Sequence, residues 1–228
     1  MITILVLVAV LGALPQDTHA TTNHSNPVRY YFTLFAGESE PFRPRTAHTW
    51  GVYVKATPTI DGGQRYEVIT ISWLPANAHV QPLRVRTVQG KNWTLDETFA
   101  IMANNNARVS LWGPYEINAY RFDLAGQQAA FLESGAVRYR SIDSFNLNDQ
   151  VVNCVHALTH AGPNARYLIQ PVIRVGEPGT SRLAKLYVQN GAFIGYPQTH
   201  EEIFRAIGGD RYPSVQRQPG ELIPRHLR

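Results

Sequence analysis

The chain has 228 residues, a formal net charge of +4 and a pI near 9.3, with 44% hydrophobic, 11% aromatic and 17% charged residues. That length supports one domain with a full core or two small ones, and the composition excludes a disordered chain. The basic excess forms no dense Lys/Arg stripe with interleaved aromatics, so nucleic acid is not an expected partner. A solvated basic surface, with some attraction to anionic envelopes or polymers, is the expectation instead.

The first twenty residues contain the apolar run "ITILVLVAVLGALP", too short to span a bilayer comfortably, followed by Thr18 and Ala20 at the small-residue positions of a cleavage site. This predicts a secretory signal over residues 1–20 and a secreted or otherwise extracytoplasmic protein. Residues 21–28 read as a polar linker, 29–212 as one domain, and 213–228 as an extended basic, Pro-rich tail.

From Arg29 to Gly37 the aromatic and β-branched run predicts a strand, broken after Glu38 by two prolines. "HTWGVYVKAT" alternates Trp50, Val52 and Val54 with Thr49, Gly51 and Tyr53, a strand headed by His48. Asp61-Gly62-Gly63 supplies a turn, and Tyr66 to Leu74 returns as the second arm of a hairpin. With that turn, Trp50 pairs near Ser72 and Val52 near Thr70. "PLRVRTV" (82–88) predicts another strand. Thr94 and Glu97 form a capping box that opens a helix with Leu95, Phe99 and Met102 on one face. "WGPYEI" (112–117) reads as a constrained turn, Asn118 to Gly135 as a helix, and "AVRYRSI" (136–142) as a strand or extended segment. Helical segments are expected again at 151–162, 181–189 and 200–209. There is no βαβ alternation, so the fold class is α+β: an antiparallel sheet with several helices in one domain.

Cys154 is the only cysteine. An exported chain with one thiol has no internal disulfide, and an exposed lone thiol is open to oxidation. Val151, Val152, Val155 and Leu158 recur at helical spacing, which puts Cys154 in the first turn of a helix, where backbone N–H groups favour a thiolate. Thiol chemistry also needs a base. His156, two residues on, points away around the helix, and His160 lies more than a turn beyond. His24, His200 and His226 fall in ends or a polar helix start, and His79 lies in a loop. His48 shares a strand face with Trp50, Val52 and Val54; if that face packs against the Cys helix, imidazole and sulfur can meet.

A His-headed strand followed about a hundred residues later by Asn153-Cys154-x-His156 resembles the circularly permuted branch of the papain-like superfamily, nearest to lecithin:retinol acyltransferase-like proteins and permuted NlpC-type cysteine peptidases. The likeness covers roughly residues 45 to 165. In those families the strand reads His-x-Gly-x-Tyr or close to it; here Gly51 and Tyr53 follow one place later. The resemblance implies a permuted papain-like fold with Cys154 as nucleophile and His48 as general base. Thr70 and Ser72 stand where a third polar residue belongs, although neither is the His, Asn or Gln expected there. Tyr53 or Tyr115 could add to the oxyanion donor of the Cys154 N–H, against the simpler role of core packing. The expected activity is hydrolysis or acyl transfer on an amide or ester through an acyl-enzyme, with a peptide, peptidoglycan-type or acyl-ester substrate and no cofactor or metal. The rival expectation is a catalytically silent binding or envelope-associated module of the same fold.

Overall fold

A computed structural model describes residues 27–142, 150–159 and 175–223. Its main sheet is built around β1 (Arg29–Ser39), whose residues are buried continuously from Tyr31 because helices cover both faces. β2 (His48–Pro58) and β3 (Gln64–Ile71) form the expected hairpin, antiparallel, with Val52 opposite Thr70 and Gly51 opposite Ile71. β6 (Ala107–Ile117) flanks β1 on its other side, and the short β9 (Val215–Gln216) lies parallel to β6, giving the order β3-β2-β1-β6-β9. A smaller sheet contains β4 (Trp73–Pro75), β5 (Val88–Asn92), β7 (Arg138–Tyr139) and β8 (Val151–Val152).

Helices sort by the face that they cover. α1 (Leu95–Asn104) has the full capping box between Thr94 and Glu97, and packs Leu95, Phe99 and Met102 against Phe35, Trp50, Val52 and Val54. α5 (Glu201–Ala206) adds Ile203 to that cluster. α2 (Ala119–Glu133) is capped by Asn118, whose side chain accepts from the Arg121 N–H. It joins α3 (Cys154–Thr159) and α4 (Glu177–Gln189) on the other face, over Phe32, Leu34, Tyr53 and Trp112. The fold is α+β, with mostly antiparallel sheets. No helix among the described residues is long and apolar enough to cross a membrane. The signal expected at residues 1–20 lies outside the described residues, as does most of the linker.

Three local expectations change. "WGPYEI" is not a turn but the end of β6. Pro114 cannot donate to the ladder, and the register with β1 shifts between Phe32 and Leu34, where Gly113 takes φ +104. "PLRVRTV" does not form a strand before Val88. The Arg84 N–H closes a turn on Gln81 C=O, and Leu83 and Val85 stand exposed with no sheet beneath them. Residues 213–223 are not a free tail: β9 pairs with β6, Trp112 Nε1 donates to Gln218 C=O at 3.1 Å, and Ile223 is buried.

Candidate active site and binding groove

Asn153 caps the start of α3: its Oδ1 accepts from the His156 N–H at 2.8 Å, and its amide donates to Ser141 C=O at 3.3 Å. Cys154 is the first residue of α3, in the first turn as expected, although Val151 and Val152, counted in that helical spacing, form β8; it is 2% exposed. It belongs to the apolar cluster that contains Phe32, Tyr53, Trp73 and Leu158. The helix approaches β2 at Gly51, where an added Cβ would lie 2.6 Å from Leu158 Cδ1 and 2.7 Å from the Phe32 ring. The absence of a side chain at Gly51 is therefore what lets α3 lie close to the sheet. His156 is buried, and His160 lies outside the described residues.

His48 sits opposite Gly37 at the head of β2, 1% exposed, with its ring stacked on Trp50 (centroids 5.3 Å apart, planes 15° apart). Its Nε2 lies 2.9 Å from Ser72 Oγ. Ser72 Oγ is in turn 2.7 Å from the hydroxyl of Thr98 on α1, which also reaches Thr94 C=O at 2.7 Å. Nδ1 is buried without a hydrogen-bond partner. Burial lowers the His48 pKa from 6.5 to about 3, so the ring is neutral at ordinary pH.

The structure thus brings His48 and Ser72 together and leaves Cys154 apart from both. Successive side chains on a strand point to opposite faces. His48, Trp50, Val52 and Val54 face α1; Thr49, Gly51 and Tyr53 face α3 and α4. Thr49 Oγ1 makes this assignment explicit, lying 2.8 Å from Thr180 Oγ1 on α4 and accepting from the Gly176 N–H at 3.3 Å. The expected Cys154–His48 meeting depended on the Cys helix packing on His48's face, and it packs on the other one. Neither ring nitrogen of His48 is hydrogen-bonded to the thiol.

Thr70 shares the His48 parity but serves elsewhere: its carbonyl accepts from Asn92 Nδ2 at 2.9 Å, and it lines a groove. Tyr53 and Tyr115 are packing residues, stacked on Phe32 (4.2 Å) and Phe193 (4.5 Å), and burial raises both phenol pKa values. No group of three or more His, Cys, Asp or Glu able to hold a metal ion occurs among the described residues.

The groove, of about 670 Å³, runs along the outer edge of β3 between α2 on one side and the start of α1 and the end of α5 on the other. Val68, Ile69, Thr70, Trp93, Glu133 and Arg211 are among its walls. Asn92 caps one end of the edge, with Oδ1 accepting from the Ser72 N–H at 2.9 Å and Nδ2 donating to Thr70 C=O; Trp93 N–H donates to Ser72 C=O at 2.9 Å. By strand alternation the N–H and C=O of Tyr66 and Val68 face outward along the same edge. Sequence reasoning missed Asn92, Thr98 and Thr49. Asn92 opens the sequon Asn92-Trp93-Thr94, which says nothing of its bonding role here, and Thr98 carries no motif, while Thr49's signal is its place two residues before Gly51. In comparisons with protein-family models, characterised proteins and solved structures, nothing matches this chain.

Proposed function

We propose that this protein is an exported, catalytically silent binding module, in which Cys154 and His48 hold the fold together and do not react. The observation that carries this reading is the assignment of the two residues to opposite faces of β2. In the His-x-Gly-x-Tyr pattern of the permuted papain-like enzymes that the chain resembles, a spacing of two puts His on the face of Gly. Here His48 is three residues before Gly51, and Thr49 occupies the position on the Cys-helix face. A threonine hydroxyl cannot take the thiol proton at neutral pH. The groove beside β3 is where such a module would hold an extended peptide segment, through outward main-chain groups of Tyr66 and Val68 and the walls around Trp93.

Alkylation of Cys154 across a pH series tests this. The native thiol should be inert and react on unfolding, and an activated acyl ester should not acylate it. Rapid native alkylation with a thiol pKa well below about 8.5, together with ester turnover lost in Cys154→Ser, would overturn the reading. That outcome would support the cysteine hydrolase or acyltransferase, whose favouring observation is the thiol's place at the start of α3.

A further inference from the structure

The connection from β4 to β5 and the segment around β7 (residues 76–92 and 136–142) contain Arg84, Arg86, Lys91, Arg138 and Arg140 but no Asp or Glu. The two segments are tied together. Ser141 Oγ donates to Gln81 C=O at 3.4 Å, Arg140 Nη1 to Val85 C=O at 3.2 Å and Arg140 Nε to Ile142 C=O at 2.7 Å. His79, Arg84, Arg86 and Arg140 converge on one small cleft of about 30 Å³. Among the described residues, no carboxylate lies within ion-pair distance of Arg84, Arg86 or Arg138.

Aliphatic side chains stand out beside these cations. Leu83 is 87% exposed, Val85 81% and Ile142 65%. Val85 and Ile142 are neighbours, because one guanidinium holds both of their carbonyls. Single exposed aliphatics are ordinary on a protein surface, but here three flank a cleft of arginines, and Leu83-Arg84-Val85-Arg86 alternates the two chemistries along one loop. Arginine's planar fork matches phosphate oxygens, and its stem tolerates apolar surroundings while the head stays with the charge.

We propose that this patch docks the protein on an anionic phospholipid surface, Leu83 and Val85 entering the boundary between headgroups and acyl chains while Arg84 and Arg86 hold lipid phosphates. A soluble polyanion would use the arginines and leave the aliphatics idle, so the combination favours a membrane. The inference rests on the exported location proposed above but not on the state of Cys154.

The test is co-sedimentation of the full chain with phosphatidylcholine vesicles, with and without an equal share of phosphatidylglycerol, at low and high salt. The protein should bind the anionic vesicles, release at high salt and ignore the neutral ones. Arg84→Gln combined with Arg86→Gln should weaken partition about 25-fold, roughly fivefold per cation. Leu83→Ser combined with Val85→Ser should also weaken it while leaving retention on immobilised heparin unchanged. Equal binding to neutral vesicles, or binding that neither double variant alters, overturns the proposal. Vesicle binding untouched by the aliphatic variant alone also overturns it, in favour of a site for soluble polyanions. Native alkylation of Cys154 in the same samples reports separately on the binding-module reading, so failure of one is distinguishable from failure of the other.

Discussion

Burial of His48 makes stability depend on pH in a way that can be calculated from the structure. The ring is 1% exposed, and its pKa falls from 6.5 to about 3 because the desolvated site disfavours the charged form. Below pH 6.5 the unfolded chain takes up a proton at this residue that the folded chain refuses, so the unfolded state is favoured as pH falls. The contribution is fully present above about pH 6.5 and is lost progressively down to about pH 3. From the linkage relation, this single group removes about 2 kcal/mol between pH 7.5 and pH 5, and on the order of 4–5 kcal/mol by pH 3. In a domain of this size the first figure corresponds to a drop in Tm of roughly 4–8 °C. The assay is urea or thermal unfolding of the protein and of His48→Gln over that range, because the difference between their pH profiles cancels every other titrating group. The variant should be less stable at pH 7.5 and lose about 2 kcal/mol less on acidification to pH 5. Coincident slopes would refute the reasoning, as would an imidazole resonance of His48 titrating near 6.5. A His48 paired with a thiolate would give the opposite sign, since its pKa would be raised and the protein would gain stability as pH fell.

Gly51→Ala places a methyl group 2.6 Å from Leu158 and 2.7 Å from Phe32; it should destabilise the fold by about 1–3 kcal/mol in urea unfolding. Unchanged stability would mean that α3 does not depend on this close approach. Glu177 is fully buried at the start of α4, bonded to Arg108 and to Ser110, with Arg108 Nε at 3.0 Å, and its backbone N–H donates to Glu38 at 3.0 Å. Glu177→Ala leaves Arg108 with Glu40 as its remaining ion-pair partner and takes the acceptor from Ser110; it should cost about 1–3 kcal/mol, part of which Arg108→Met should restore in the double variant. Additive losses in that cycle would show that the pair is not coupled.

Much of the fold was legible because local chemistry wrote it. The Asp61-Gly62-Gly63 turn set the hairpin register to the residue, Val52 against Thr70, and Thr94 with Glu97 marked the start of α1. The segments misread were those in which local signals compete with tertiary context. Gly113-Pro114 punctuates like a turn, yet a bulge opposite Thr33 absorbs it inside a central strand. Leu83 and Val85 alternate with Arg84 and Arg86 like a strand, but a strand needs a neighbour with free hydrogen bonds, and β5 finds β4 and β7 only from Val88 onward. At the site, the parity of His48 was readable and the company of Ser72 followed from the register. Which helix covers which face was not, since nothing in one strand's alternation says what will pack upon it.

The clue to that choice was Gly51. A glycine in a central strand weakens it unless another backbone or side chain needs the space, and on β2 the space lies on the face of Thr49 and Tyr53. A helix bringing Leu158 into that gap must lie across from His48. The Asn-Cys-x-His stretch then has a sufficient physical account without chemistry: Asn153 caps the helix, Cys154 is a small apolar residue in the first turn, and His156 is buried beside it. The same burial would shield the lone thiol in the oxidising compartment proposed above, because oxidation follows exposure and thiolate character, and Cys154 has almost none of the first. On the binding-module reading proposed here, a motif that reads as a nucleophile's address is the way a short helix is seated.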